Sequence, residues 1–199
     1  MESWIIGLVL FAFAASITPG PNNLMIMASG ANFGIMRSLP HWLGIHIGFF
    51  MMMFIGGMGA GAIFLRFPLI ELGFRLVCGG IILWLSWKIA NARRAEPGEG
   101  QLRPLTFLQA TAFQWVNPKA WIMALSAISI YAPGDTAADI ALVTLVFGCS
   151  GIPCTGLWLF AGELVQKLLT KDSHFRIFNV VMALLLAGSS LPMLFAKVA

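Results

Sequence analysis

Charge is what this chain has least of. Of its 199 residues, eight are Asp or Glu and twelve are Lys or Arg, a charged share of 10%. A soluble domain carries roughly 25%, because charged side chains make up much of its water-facing surface. With 59% hydrophobic residues and a mean hydropathy of +0.87, this chain cannot cover a soluble globule of its size. A soluble domain is excluded, and a polytopic membrane protein follows. Cysteine is also scarce. Cys78, Cys149 and Cys154 all sit in apolar stretches, where a thiol behaves as a small hydrophobe. They give neither a disulfide framework nor a metal-ligand spacing, and no cofactor is expected. The formal charge of +4 is not gathered into a basic stripe with stacking aromatics, which excludes a nucleic-acid partner. A basic leading segment is missing too. Ala12-Phe13-Ala14 resembles a signal cleavage site, but Glu2 stands where a secretory signal needs positive charge. The first apolar stretch is therefore expected to be an uncleaved span.

Six apolar spans can be read, running roughly Trp4–Ala28, Leu39–Leu65, Pro68–Ala90, Leu105–Tyr131, Asp139–Leu164 and Phe175–Phe195. About 20 residues cross the hydrocarbon core, so six spans account for the apolar share and leave short loops. The predicted fold is all-α, a single transmembrane transporter domain over residues 1–199. Its halves, 1–90 and 105–199, are joined by a polar linker at 91–104 that holds Arg93, Arg94, Glu96, Pro97, Gly98, Glu99, Gly100 and Arg103. Lys and Arg concentrate in alternate loops: Arg37 after span one, Lys88 to Arg103 around the linker, and Lys167, Lys171 and Arg176 after span five. By the positive-inside rule that face is cytoplasmic, which puts both termini outside.

Three spans per half give the halves opposite orientations, the plan of inverted repeats. The most informative feature is a pair of proline breaks at matching depth. Thr18-Pro19-Gly20-Pro21-Asn22-Asn23 interrupts span one, and Asn117-Pro118-Lys119 interrupts span four, each about 17 residues into its half. Pro removes a backbone donor and clashes with the preceding turn. In lipid an unpaired backbone group costs several kcal/mol, so such breaks survive only where protein, water or a ligand uses the freed groups. Pro is favoured at the first helical position and Asn at the cap before it. Both motifs therefore read as helix restarts whose N-termini face one central region, each with roughly half a positive charge and several free N–H groups. That is a site for an anionic group such as a carboxylate. Pro19, Gly20, Pro21, Asn22, Asn23, Asn117, Pro118 and Lys119 are its candidate residues. The bland alternative is two kinks that only shape packing.

Lys119 should face a cavity or a partner, since a central cation costs at least about 2.5–3.5 kcal/mol on insertion scales. It would bind a substrate carboxylate, or serve structurally by bonding the carbonyls freed at a break. Lys119 and His46 are the ionisable groups placed deep in the spans, and so the candidates for proton coupling. Gln114 is placed to add amide contacts, and Trp115 and Trp121 read as packing before gating. Gly44 with Gly48, and Gly57 with Gly61, favour close helix contact, inside one protomer or across a homodimer. A rival reading rests on Gly148-Cys149-Ser150-Gly151, the G-x-S-G pattern of rhomboid-type intramembrane proteases. Its Ser150 needs a base within hydrogen-bond reach, and span six carries no His.

Thr18-Pro19-Gly20-Pro21-Asn22-Asn23 and Asn117-Pro118-Lys119-Ala120 together resemble the two signatures of the LysE/RhtB amino-acid exporters. Length, six spans and the basic linker agree, so the resemblance covers the whole chain. It implies an inner-membrane antiporter of bacteria that exports amino acids or close derivatives from the cytoplasm against protons. Trp84-Leu85-Ser86-Trp87-Lys88-Ile89-Ala90 and Thr18 resemble the branch exporting cysteine and O-acetylserine, with homoserine, threonine and leucine as other candidates. The lack of a clear mid-membrane carboxylate disfavours a lysine or arginine substrate. The expected partners are thus a small neutral amino acid, protons and the lipid bilayer.

Overall fold

The computed structural model describes residues 2–60, 66–92, 103–132, 134, 136–169 and 171–195. Among them are seven α-helices and no strand: α1 (Glu2–Ile17), α2 (Pro21–Ile55), α3 (Pro68–Ala90), α4 (Phe107–Trp115), α5 (Pro118–Tyr131), α6 (Ala137–Leu168) and α7 (Asp172–Phe195), with a π-helical turn, Gly56–Ala60, directly after α2. Among the described residues three helical segments, Pro21–Gly59, Leu72–Ala90 and Ala137–Leu168, are long and apolar enough to cross a membrane, and Trp4–Ile17 is a shorter apolar helix. Large apolar side chains such as Leu69, Leu108 and Leu168 stand on the outer surface, each more than 70% exposed. Such a surface suits hydrocarbon as its solvent. The linker residues 93–102 lie outside the described set, as do Gly61 and Leu65.

Span one is divided between α1 and the start of α2, and α2 continues through the expected loop into span two. That helix is folded on itself at Gly34, whose φ of 76° and ψ of 170° are ordinary for glycine and strained for any other residue. The Ser29 and Ser38 hydroxyls meet at 2.8 Å, whereas nine residues of continuous helix would separate them by about 13 Å. Ile26 and Ile45 likewise fall in one core cluster with Ala110 and Leu159. The chain therefore reverses here, and α2 is a hairpin of two arms.

The remaining starts follow local chemistry. Thr106 and Gln109 form a reciprocal capping box at the start of α4, with bonds of 3.2 and 3.1 Å. Thr136 accepts from the Asp139 N–H at 3.1 Å to cap α6.

The α2 hairpin packs most extensively on α6, then on α4, while α3 pairs with α7. Small residues permit these crossings. A Cβ on Gly30 would strike the Leu159 carbonyl oxygen, and one on Gly162 would strike that of Met27. Gly44 and Gly48 lie against the α4 backbone at Phe107 and Thr111. The expected close contact of this glycine pair is thus made inside the protomer. In Gly162→Ala the obstacle is backbone and cannot swing aside, so a loss of about 1–3 kcal/mol is expected. Gly80→Ala is the control, since nothing lies within 4 Å of its added carbon. Thermal unfolding in detergent should show a clear drop for the first and almost none for the second; equal melting would contradict the tight crossing.

Candidate functional site

The two proline breaks meet. α1 ends at Ile17 and α2 restarts at Pro21; α4 ends at Trp115 and α5 restarts at Pro118. Two contacts join the breaks across about a hundred residues of sequence. Asn22 and Gln114 form a reciprocal amide pair, with N–H donated each way at 2.8 and 3.1 Å. The Lys119 ammonium donates to the Thr18 carbonyl at 2.8 Å, the Thr18 hydroxyl at 2.9 Å and the Pro19 carbonyl at 3.2 Å.

The fate of the freed backbone groups can be followed atom by atom. On the carbonyl side, Asn23 donates to Ser16 at 2.7 Å and to Thr18 at 2.8 Å. The Trp158 indole donates to Ile17 at 3.1 Å, and the Thr18 hydroxyl donates to Ala15 at 2.8 Å. At the second break the Trp121 indole donates to the Trp115 carbonyl at 3.0 Å. Side chains thus close the carbonyl end of α1, and the Trp121 indole with the Val116 and Asn117 backbone N–H groups closes that of α4. The N–H ends are left open. Pro21 and Pro118 carry no N–H, and the first bonds inside the restarted helices come from Leu24 and Trp121. The amides of Asn22, Asn23, Lys119 and Ala120 are left without intrahelical acceptors. The positive ends of both helices thus stay available while their negative counterparts are satisfied.

Gly20, Asn22, Asn23, Asn117 and Lys119 line one small cavity of about 40 Å³, room for about three or four waters at roughly 10–15 Å³ each. Ser16, His46 and Thr155 complete its polar wall, and Phe49, Met123 and Phe147 its apolar one. Pro19 is exposed at the break and Pro118 is buried at the start of α5. Asn117 departs from its expected role. It occupies the cap position of α5, but its side chain makes no capping bond. Its Oδ1 is buried, with no partner among the described residues. The first restart has Gly20 as its cap residue, and Asn23 reaches backwards to close α1. A Cβ on Gly20 would come within 2.6 Å of the Lys119 side chain, so glycine here gives the lysine its path to Thr18.

His46 is 8% exposed, and its Nε2 lies 2.8 Å from the Thr155 hydroxyl. Thr155 also accepts from the Trp42 indole at 2.9 Å, so Trp42 is tied into the interior. Sequence reading missed Thr155 and Ser16; only Pro153, two residues before Thr155, marks this stretch of α6 as irregular. Trp121 is 4% exposed and lies edge-on to Trp115 at 6.1 Å, which is packing. The protease reading finds no base: Ser150 donates to the Val146 carbonyl at 2.7 Å, and His46 is engaged with Thr155. No His, Cys, Asp or Glu cluster suited to a metal occurs among the described residues.

An all-helical membrane chain with two interrupted helices facing one polar cavity is built as a transporter. Comparison with known proteins makes the class specific: the LysE type translocator family matches residues 13–196, and the chain belongs to it. It is a translocator and not an enzyme. Among curated relatives, a cysteine/O-acetylserine efflux protein of Klebsiella pneumoniae is 32% identical over 166 residues, covering 79% of this chain and 81% of the relative. Proteins of the same description from Escherichia coli K12 and Shigella flexneri are 29% identical over 184 residues, covering 88% of this chain and 90% of theirs. No solved structure matches.

Proposed function

We propose that this protein exports small neutral amino acids or their derivatives from the bacterial cytoplasm across the inner membrane, coupled to the proton gradient as an antiporter. The observation that carries the reading is the convergence of two half-helix N-termini, with free N–H groups, on a cavity that also holds the unpartnered Asn117 Oδ1. A zwitterion fits this inventory. Its carboxylate would take the free amides of Asn22, Asn23, Lys119 and Ala120, and its ammonium would donate to Asn117 Oδ1. The efflux relatives make cysteine and O-acetylserine the first substrates to try. Efflux of labelled amino acids from loaded vesicles, run with and without a proton gradient, tests it. Gradient-dependent loss of neutral amino acids is expected, and retention of the whole panel would refute it.

The fold supports two inverted repeats of three spans each. The restarted arms at Pro21 and Pro118 correspond, the returning arm of α2 meets α6 where Trp42 and His46 reach Thr155, and α3 packs on α7. Both termini would lie outside and the 91–104 linker in the cytoplasm, following the basic loops. A cysteine placed at residues 96–100 should react with an impermeant reagent only in inverted vesicles; labelling from outside intact cells would overturn the topology.

In coupling, Lys119 is preferred to His46. Lys119 bridges both breaks, so gaining or losing its proton acts on both half-helices, whereas His46 meets α6 through Thr155 alone. His46→Ala should cut gradient-driven efflux by less than Lys119→Met does. Loss of driven efflux in His46→Ala with downhill exchange intact, while Lys119→Met keeps both, would reverse the assignment.

A further inference from the structure

A second and larger cavity, about 480 Å³, lies beside the first. Its volume falls in the range of small-molecule sites, roughly 300–1,000 Å³. It is walled by both arms of α2, the end of α3, and the start of α4 with the segment leading into it. Lys88 and Arg103 supply its charge, and Ser29, Asn32, His41 and Gln109 its polar lining; no carboxylate lines it among the described residues. Arg103 has no ion-pair partner among the described residues, and Lys88 stacks over the Trp84 ring at 4.7 Å. The most telling group is His41. It is 3% exposed, and its Nδ1 has no hydrogen-bond partner. A neutral imidazole protonated on Nε2 presents Nδ1 as an acceptor.

This second inventory repeats that of the first cavity: a positive field for a carboxylate and one buried, unused atom able to accept from an ammonium group. Placement strengthens the parallel. Asn22 lines the first cavity and Met25 the second, three residues or about 4.5 Å apart along α2. On the returning arm His46 lines the first cavity and His41 the second, five residues or about 7.5 Å apart.

We propose that the second cavity is a loading site, taking the zwitterion of a small neutral amino acid on the basic face of the protein before it reaches the helix breaks. The proposal rests on the export reading above. Arg103 and Lys88 would hold the carboxylate, and His41 Nδ1 would meet the ammonium.

Equilibrium binding of radiolabelled O-acetylserine to the intact protein in phosphatidylcholine nanodiscs separates the two sites. The wild type should bind two equivalents. The Arg103→Gln, Lys88→Gln double variant should lose one, its affinity falling about tenfold or more with the charge-assisted bonds. Asn117→Ala should lose the other. If the wild type binds one equivalent and Asn117→Ala alone removes it, the loading site is overturned while the central site stands. If only the double variant loses binding, the central site fails and the loading site holds. No binding by the wild type overturns both. In discs containing phosphatidylglycerol, a double variant that sheds bound lipid yet keeps both O-acetylserine equivalents assigns the cavity to a phosphate headgroup, which also overturns the proposal.

Discussion

Lys119→Met should abolish efflux while leaving membrane expression intact. The ammonium has three protons and meets three acceptors, the Thr18 carbonyl and hydroxyl and the Pro19 carbonyl. Methionine keeps the length and removes all three bonds. The Pro19 carbonyl then has no donor among the described residues, and Thr18 keeps only Asn23 at its carbonyl. Each charge-assisted bond is worth about 1.5–3 kcal/mol, so loss of even one shifts the equilibrium that holds the two breaks together by roughly tenfold to more than a hundredfold. Because the lysine joins the two breaks, the loss should fall on transport more than on folding. Gly20→Ala should weaken transport in the same direction by pushing the lysine from its path. Vesicle efflux beside a quantified expression blot checks it. Wild-type rates in Lys119→Met would show that neither the bridge nor the charge matters to the cycle.

Asn117→Ala should cost as much for a different reason. Asn117 is 2% exposed and its Oδ1 has no partner. A buried polar atom left unpaired costs about 1–3 kcal/mol, so alanine should leave the empty protein no less stable. Removing the acceptor for an ammonium should weaken binding by about tenfold to a hundredfold. A variant that melts at or above the wild-type temperature and fails to bind is the expected pair of results. A variant that melts earlier and binds normally would make Asn117 a structural residue.

Much of this was legible in the sequence because proline is unambiguous. Pro21 and Pro118 had to start helices, and they do; Lys119 had to find partners, and it finds the carbonyls at the break. Sequence could not choose between that structural duty and direct substrate contact, because both demand the same buried cation. The geometry shows the structural duty filled and moves the unsatisfied chemistry to the neighbouring amides and to Asn117. A reversal between the first two spans was legible, but its placement at Gly34 was not, since one glycine among many in a membrane chain carries no sign that its φ is positive. Thr155 was missed because a lone threonine in an apolar helix has no pattern. Its role emerges only when α6 is laid against the α2 hairpin, where His46 and Trp42 converge on it. The second cavity was hidden likewise, its wall being drawn from α2, α3 and the approach to α4.

Substrate protection of a single cysteine tests most directly whether the two breaks enclose the substrate. Ser16 lines the cavity, and Cys78, Cys149 and Cys154 can be replaced to leave Ser16→Cys as the sole thiol. Small neutral amino acids should slow its alkylation in a concentration-dependent way, and Asn117→Ala in the same background should remove that protection. Alkylation at one rate with and without every amino acid of the panel, in a variant that still transports them, would place the substrate somewhere other than between the broken helices.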